Sequence, residues 1–209
     1  MARYLGSQCK LCRREGVKLF LKGDRCYSEK CALERRHKTP GELPQRFRRK
    51  MSDYALHLRE KQHARRMYGV LERQFKVYFD RASKMSGVTG DNLLRLLETR
   101  LDNVVYRMGF APSRASARQL VNHGHILVDG KKIDIASYNV QKGQTIEIHP
   151  KSRQIPIVQE TISAHKSLDQ FSWLEVNAQE FKGYVKDLPS AEQLPQEIDA
   201  RLIVEFYSK

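Results

Sequence analysis

The sequence predicts an α+β protein with three parts: an N-terminal cysteine knuckle, a helical domain, and a module of two helices with a small antiparallel sheet. Three observations carry this. All four cysteines fall within residues 9–31, and none follows in the 178 residues after Cys31. Apolar residues recur at helical spacing through residues 52–108. HILVDGKKIDI, residues 125–135, alternates and then turns at Asp129-Gly130, a strong hairpin signal.

The chain has 209 residues, enough to bury a core without staples. Mean hydropathy is −0.62, and no apolar run approaches the ~20 residues that span a bilayer. MARYLGSQCK lacks the apolar segment of a signal peptide, so a cytoplasmic chain with reduced thiols is expected. Net charge is +14 and unevenly spread. Residues 1–50 hold 15 basic and 5 acidic side chains, whereas residues 151–209 hold 7 and 9. That gradient favours a polyanion held by the N-terminal half, and nucleic acid over a membrane surface, because no Leu/Phe/Trp face opposes the basic residues.

The knuckle spans Cys9-x2-Cys12 and Cys26-x4-Cys31, two close pairs separated by thirteen residues. This is the ligand spacing of a closed tetrahedral four-thiolate site, so structural Zn2+ is expected. An iron–sulfur cluster uses the same thiolates and stays open. A two-disulfide framework conflicts with a reducing compartment, and a redox CxxC leaves the second pair unexplained. Gly16 and Gly23 supply turns, and Val17–Leu21 reads as a short strand. Arg3, Arg13, Arg14 and Lys22 give this segment a cationic surface.

KTPGELPQRFRRK, residues 38–50, reads as a linker that lies on nucleic acid through Arg46, Arg48, Arg49 and Lys50. A helical stretch follows, with Ser52 or Asp53 as its N-cap and Gly69 as a break. Leu71, Phe75, Tyr78, Phe79 and Ala82 form its core side, while Arg59, Lys61, Arg65, Arg66 and Arg73 form a basic side that can meet phosphates. His57 and His63 read as surface residues. Thr89 or Asp91 starts a single helix whose stripe runs from Leu93 to Met108 and stops near Gly109. Ser113 caps a second helix, Arg114 to Asn122, closed by Gly124. TIEIH, residues 145–149, is the last strand of the module. Trp173, Phe171 and Phe181 are expected to bury against it, and LIVEFY (202–207) is open between strand and helix.

TRLDNVVYRMGFAPSRASARQLVNHGHILVDGKKIDIASY, residues 99–138, resembles the RNA-binding module first found in the bacterial small-subunit ribosomal protein S-four family. ARYLG, REKQHARRMYGVLERQFKVYF and IVEFYSK resemble other stretches of that family, and the cysteine knuckle resembles its zinc-bearing branch. Ser7 departs from the pattern, where proline is expected after the glycine. The resemblance implies a primary binder of small-subunit ribosomal RNA that nucleates assembly at a helix junction. It also implies contact with the neighbouring ribosomal protein S-five, an influence on decoding accuracy, and in some bacteria repression of the protein's own messenger RNA. It favours a helix for residues 202–207, returned to the helical domain. The resulting division is a knuckle and linker over 1–45, a helical domain over 46–96 joined by 190–209, and the module with its extension over 97–189, its core at 99–150.

In such a module the second helix presents its first turn and polar face to RNA. Ser113, Arg114, Ser116, Arg118, Gln119 and Asn122 recur on that face, and His123, His125, Lys131 and Lys132 extend it into the hairpin. Tyr106 and Val105 read as core. Two other readings compete. Arg100-Leu101-Asp102 imitates the tripeptide around the catalytic aspartate of pseudouridine synthases, but it falls inside the module and leaves no separate catalytic domain; Asp102 then reads as a helix-surface carboxylate. A free assembly or recycling factor could use the same module but has no need of the knuckle or the central helices.

Overall fold

The computed structural model describes residues 4–36, 38–41, 51–164 and 171–208. Arg3, Arg46, Arg48, Arg49 and Lys50 lie outside the described residues. The fold is mixed α+β with a small antiparallel sheet, and its internal packing divides into two units: residues 1–93 with 195–209, and residues 94–194.

In the first unit, α1 (Gln8–Glu15) ends at Gly16, which adopts φ 78° and sends its N–H to the Cys12 carbonyl. Residues 17–21 form no strand. Their alternating pattern finds no partner strand; Leu19 is instead fully buried and Phe20 turns into the left-handed region at φ 50°. A 3-10 turn at Gly23–Cys26 and a single-turn helix α2 (Ala32–Arg35) complete the segment. Helix α3 (Asp53–Met67) starts where the Ser52 hydroxyl accepts the Ala55 N–H, and Gly69 at φ 62° separates it from α4 (Glu72–Ala82).

Phe75, Tyr78 and Ala82 are buried as their spacing requires, while Leu71 and Phe79 are half-buried. Residues 202–207 are helical within α9 (Ala200–Tyr207), whose Asp199 carboxylate accepts the Arg201 N–H at 3.0 Å. Tyr207 lies 4.5 Å from the Phe79 ring and 6.4 Å from Phe75. His57 and His63 are buried, not surface residues: the imidazole of His57 meets Glu205 at 3.0 Å, and His63 meets Glu60. Helix α5 (Thr89–Glu98) begins so close to α9 that a Cβ on Gly90 would meet the Ala200 methyl at 2.8 Å.

The stripe from Leu93 to Met108 belongs to two helices, not one. Helix α5 stops at Glu98 and α6 (Leu101–Arg107) begins after Arg100, which is extended at φ −64°, ψ 137°. Thr99 turns its hydroxyl back onto the Arg95 carbonyl, and Arg100 forms an isolated bridge with Asn139. The Asn139 amide donates to the Leu96 carbonyl at 2.9 Å, so a distant loop holds the break.

In the second unit, Ser113 caps α7 (Arg114–Asn122) by accepting the Ser116 N–H. Gly124, at φ 73°, leads into β1 (Ile126–Val128). Asp129 and Gly130 both take positive φ, 49° and 74°, as a type I′ turn demands, and β2 (Lys131–Lys132) returns. Strand β3 (Thr145–Ile148) pairs Ile148 with Ile126 and Ile146 with Val128, placing all four side chains inward. Beyond α8 (Pro156–Ala164), two further strands extend the sheet past the expected last one: β4 (Leu174–Asn177) and β5 (Lys182–Val185) give the order β2-β1-β3-β5-β4.

Gly183 sits in mid-strand because a Cβ there would press into the Met108 thioether. The core joins Leu101, Val104, Val105 and Met108 of α6 to Leu120 and Val121 of α7, the inward sheet residues, and Trp173. Tyr106, Phe171 and Phe181 are half-buried against it. Each fully buried aliphatic side chain here supplies about 1.5–3 kcal/mol of burial.

Candidate nucleic-acid interface

The cations expected to meet phosphate fall into two groups, one turned inward and one turned out. Arg114 is 9 % exposed. Its Nε donates to the Asn103 side-chain oxygen Oδ1 at 2.7 Å, and its guanidinium lies 4.7 Å from the Tyr106 ring centroid. Arg118 is half-buried, with Nη1 3.7 Å from the Asp102 carboxylate. Asp102 is itself buried, correcting its reading as a surface carboxylate; Arg100 grips it through Nε at 3.0 Å and Nη2 at 2.6 Å. A second buried carboxylate, Glu98, takes a bidentate pair from Arg107 at 3.0 and 2.7 Å and the Asn103 amide at 2.8 Å.

Most of the remaining candidates of α7 and the hairpin face outward. Ser113 is buried under its cap and Ser116 is half-buried, whereas Gln119, Asn122, His123, Lys131 and Lys132 are exposed. Lys132 folds across Gly124, in space that a side chain there would occupy. His125 is half-buried and meets the Ser152 hydroxyl at 2.8 Å. Burial lowers its pKa, and the charges of His123, His149 and Lys132 lower it further. The end of α7 and the hairpin therefore form one exposed polar rim on the second unit, with Lys131 and Lys132 as its cations.

The basic side of α3 divides in the same way. Glu15 of α1 is buried between Arg59 and Arg66. Lys61 is only 4 % exposed; it is paired to Glu72 and lies 4.5 Å from the Phe206 ring centroid. Arg65 donates to Gln62 at 3.0 Å and approaches Glu72 at 3.7 Å. Arg73 is exposed. Lys61 in particular is a packing residue, with its charge compensated inside the unit.

All four cysteines are free thiols lining one pocket, together with Leu21, Lys22, Arg25 and Leu33. Helix α1 brings Cys9 and Cys12 to one face, Cys26 closes the 3-10 turn, and Cys31 precedes α2. The Lys22 N–H points at the Cys26 sulfur at 3.3 Å. Burial pushes the Cys12 thiol up, the Leu19 N–H opposes this, and the other three cysteines add to the rise. Among the described residues, no group of three or more His, Cys, Asp or Glu side chains is drawn together tightly enough to hold a metal ion. Of the basic residues here, Arg13 is half-buried, while Arg14 and Lys22 are exposed.

The chain matches two family models: "Ribosomal protein S4/S9 N-terminal domain" over residues 3–98 and "S4 domain" over residues 99–146. It is 56 % identical over all 209 residues to the small ribosomal subunit protein uS4 of Thermodesulfovibrio yellowstonii, covering the whole of both chains. The identity is 54 % to that of Natranaerobius thermophilus and 52 % to that of Thermus thermophilus, again over the full length of each. The chain belongs to the uS4 family of small ribosomal subunit proteins.

The two family matches meet between residues 98 and 99, where the apolar stripe breaks into α5 and α6. The second match ends inside β3, so the β4–β5 hairpin lies beyond it. The arginines that sequence reasoning placed on the RNA face but the fold draws inward had one available signal. Glu98, Asp102 and Asn103 are polar residues embedded in an apolar stripe, and such residues need nearby partners.

Lys61 and Glu72 generate a pH prediction. Partial burial would raise the Glu72 carboxyl, but the hydrogen bond and charge of Lys61, helped by the Tyr207 hydroxyl, outweigh it and hold the pKa below its ordinary value of 4.5. A depressed carboxyl contributes stability that is present above that ordinary value and lost as pH falls below it. Glu72→Gln should therefore flatten the loss of helical signal on acidification below about pH 4.5, read as urea midpoints by circular dichroism at several pH values. An acid profile identical to the parent's would remove this pair from the account.

Proposed function

We propose that the chain is a structural constituent of the small ribosomal subunit in the cytoplasm, and that it binds small-subunit ribosomal RNA without catalysing a reaction. The observation that carries this is full-length identity of 52–56 % to small ribosomal subunit proteins uS4. A free assembly or recycling factor would not require a match across the knuckle, the central helices and the C-terminal helix together. The pseudouridine synthase reading loses its candidate residue, because the Asp102 carboxylate is engaged by Arg100 inside the protein. Nucleation of assembly, an effect on decoding accuracy, and contact with ribosomal protein S-five and with messenger RNA belong to the same reading; the family resemblance supports them.

The contact set follows from exposure. Gln119, Asn122, His123, Lys131 and Lys132 on the second unit, and Arg14, Lys22 and Arg73 on the first, present exposed polar surface. Structured RNA met this way is recognised through phosphate position and shape, because the A-form major groove is too narrow for side chains. Each lysine–phosphate contact releases condensed counterions, so binding weakens with salt in proportion to the contacts made. Replacing Lys131 and Lys132 together with alanine should reduce the slope of log K against log salt by up to about 2, measured on small-subunit ribosomal RNA transcribed in vitro. An unchanged slope would take the hairpin off the RNA.

We also infer one structural Zn2+ held by Cys9, Cys12, Cys26 and Cys31, with an iron–sulfur cluster on the same thiolates as the alternative. Support comes from four unbridged thiols around one pocket, an N–H directed at sulfur, and nearby Lys22 and Arg25 to offset thiolate charge. A bound metal would cross-link a segment too small and too charged to build its own core. Elemental analysis of anaerobically purified protein should find about one zinc per chain with no visible absorption. Iron with a broad visible band would select the cluster, and neither metal would overturn the site.

A further inference from the structure

The knuckle carries an aromatic pair beside the cysteines, exposed to solvent at Tyr27. The Tyr27 ring stacks on Phe20 with centroids 5.0 Å apart and planes inclined by 29°. Tyr27 is 69 % exposed, the most solvent-open tyrosine among the described residues. Scattered exposed apolar side chains are ordinary, but two further features set this pair apart. Among the described residues Phe20 is one of three non-glycine residues with positive φ, at 50°, a conformation that costs a bulky aromatic about 1–2 kcal/mol. Its neighbour Leu19 is fully buried, so the chain drives one apolar residue inward and turns the next out beneath Tyr27. The surroundings are cationic: residues 9–31 hold seven basic side chains against three acidic, and Lys22, Arg25 and Lys30, all within five residues of Tyr27, are exposed.

A flat aromatic stack held outward among lysines and arginines suits a ligand with a π-face and a negatively charged backbone. A nucleotide has both, and base–aromatic stacking flanked by backbone contacts is how unpaired bases are held. We propose that Phe20 and Tyr27 form a stacking platform for an unpaired base of the bound RNA, with Lys22 and Arg25 meeting the flanking phosphates. This rests on the ribosomal RNA reading and adds to it a base-contacting site in the N-terminal segment.

The test compares the full-length protein with Tyr27→Leu, Tyr27→Trp and Lys22→Ala on small-subunit ribosomal RNA transcribed in vitro, across a range of salt concentrations. Tyr27→Leu should weaken binding by roughly five- to 150-fold, the range given by a single base–aromatic stack, and leave the salt slope unchanged because no ion is displaced. Tyr27→Trp should bind as tightly as the parent, and Lys22→Ala should make the slope shallower by about 1. Binding by Tyr27→Leu within twofold of the parent would overturn the platform while leaving the ribosomal reading intact. Equal weakening by Tyr27→Leu and Tyr27→Trp would also overturn it, since the ring would then matter for folding and not for stacking. Failure of the parent itself to bind this RNA would bring down both the functional reading and the platform.

Discussion

Two carboxylates buried in an apolar helix stripe, Glu98 and Asp102, set the terms for the second unit. A carboxylate withdrawn from water must be paired and hydrogen-bonded on most of its lone pairs. The chain meets that demand with Arg100 and Arg118 on Asp102, and with Arg107 and Asn103 on Glu98. Arg100 reaches Asp102 from an extended backbone at the break between α5 and α6. The extended residue then bridges to Asn139, and the Leu101 and Asp102 N–H groups reach the Tyr138 and Ala136 carbonyls, tying the loop before β3 to the helices. Removing one partner of such a pair costs about 3–5 kcal/mol, a large part of the total stability of about 5–15 kcal/mol that a domain has.

The same network decides which cations remain for a ligand. Arg114 closes onto Asn103, which is itself held by Glu98, so the first arginine of α7 faces the interior. The outward surface passes to the end of α7 and to the hairpin, where the tight turn at Asp129-Gly130 projects Lys131 and Lys132. In the first unit the logic recurs, with Glu15 compensated by Arg59 and Arg66, and Glu72 by Lys61. A net charge of +14 is thus not a count of RNA contacts. Part of it balances buried acids and holds helices together.

Local signals were legible in the sequence. Ser52 and Ser113 cap their helices because a short hydroxyl side chain reaches the N–H groups of the first turn, and Gly69 and Gly124 end helices because only glycine takes φ near 70° without strain. The spacing of the four cysteines pointed to a shared metal site; they line one pocket, and among the described residues no group of three or more metal-ligating side chains is drawn tightly together. What depends on long-range pairing was not legible. The stripe from Leu93 to Met108 keeps helical spacing through its break, so periodicity alone joins α5 to α6. The β4–β5 hairpin lacks a glycine turn: Asn177 organises it by accepting the Gln179 and Glu180 N–H groups, and Phe181 takes the positive φ. His57 reads as exposed from sequence because its carboxylate neighbour, Glu205, lies far away along the chain, and His63, paired with Glu60 on its own helix, is covered by the packing of its unit.

Cations divide between inward structural pairs and an outward set open to RNA, and Arg114 is the residue whose type and position suit either role. Arg114→Ala should be measured twice on the same full-length preparation, by urea unfolding monitored through the single, buried Trp173 and by the salt dependence of ribosomal RNA binding. A clear loss of stability is expected, about 1–3 kcal/mol for leaving the Asn103 oxygen unpaired, with the salt slope unchanged. A slope shallower by about 1 with stability unchanged would place Arg114 on phosphate and contradict the account.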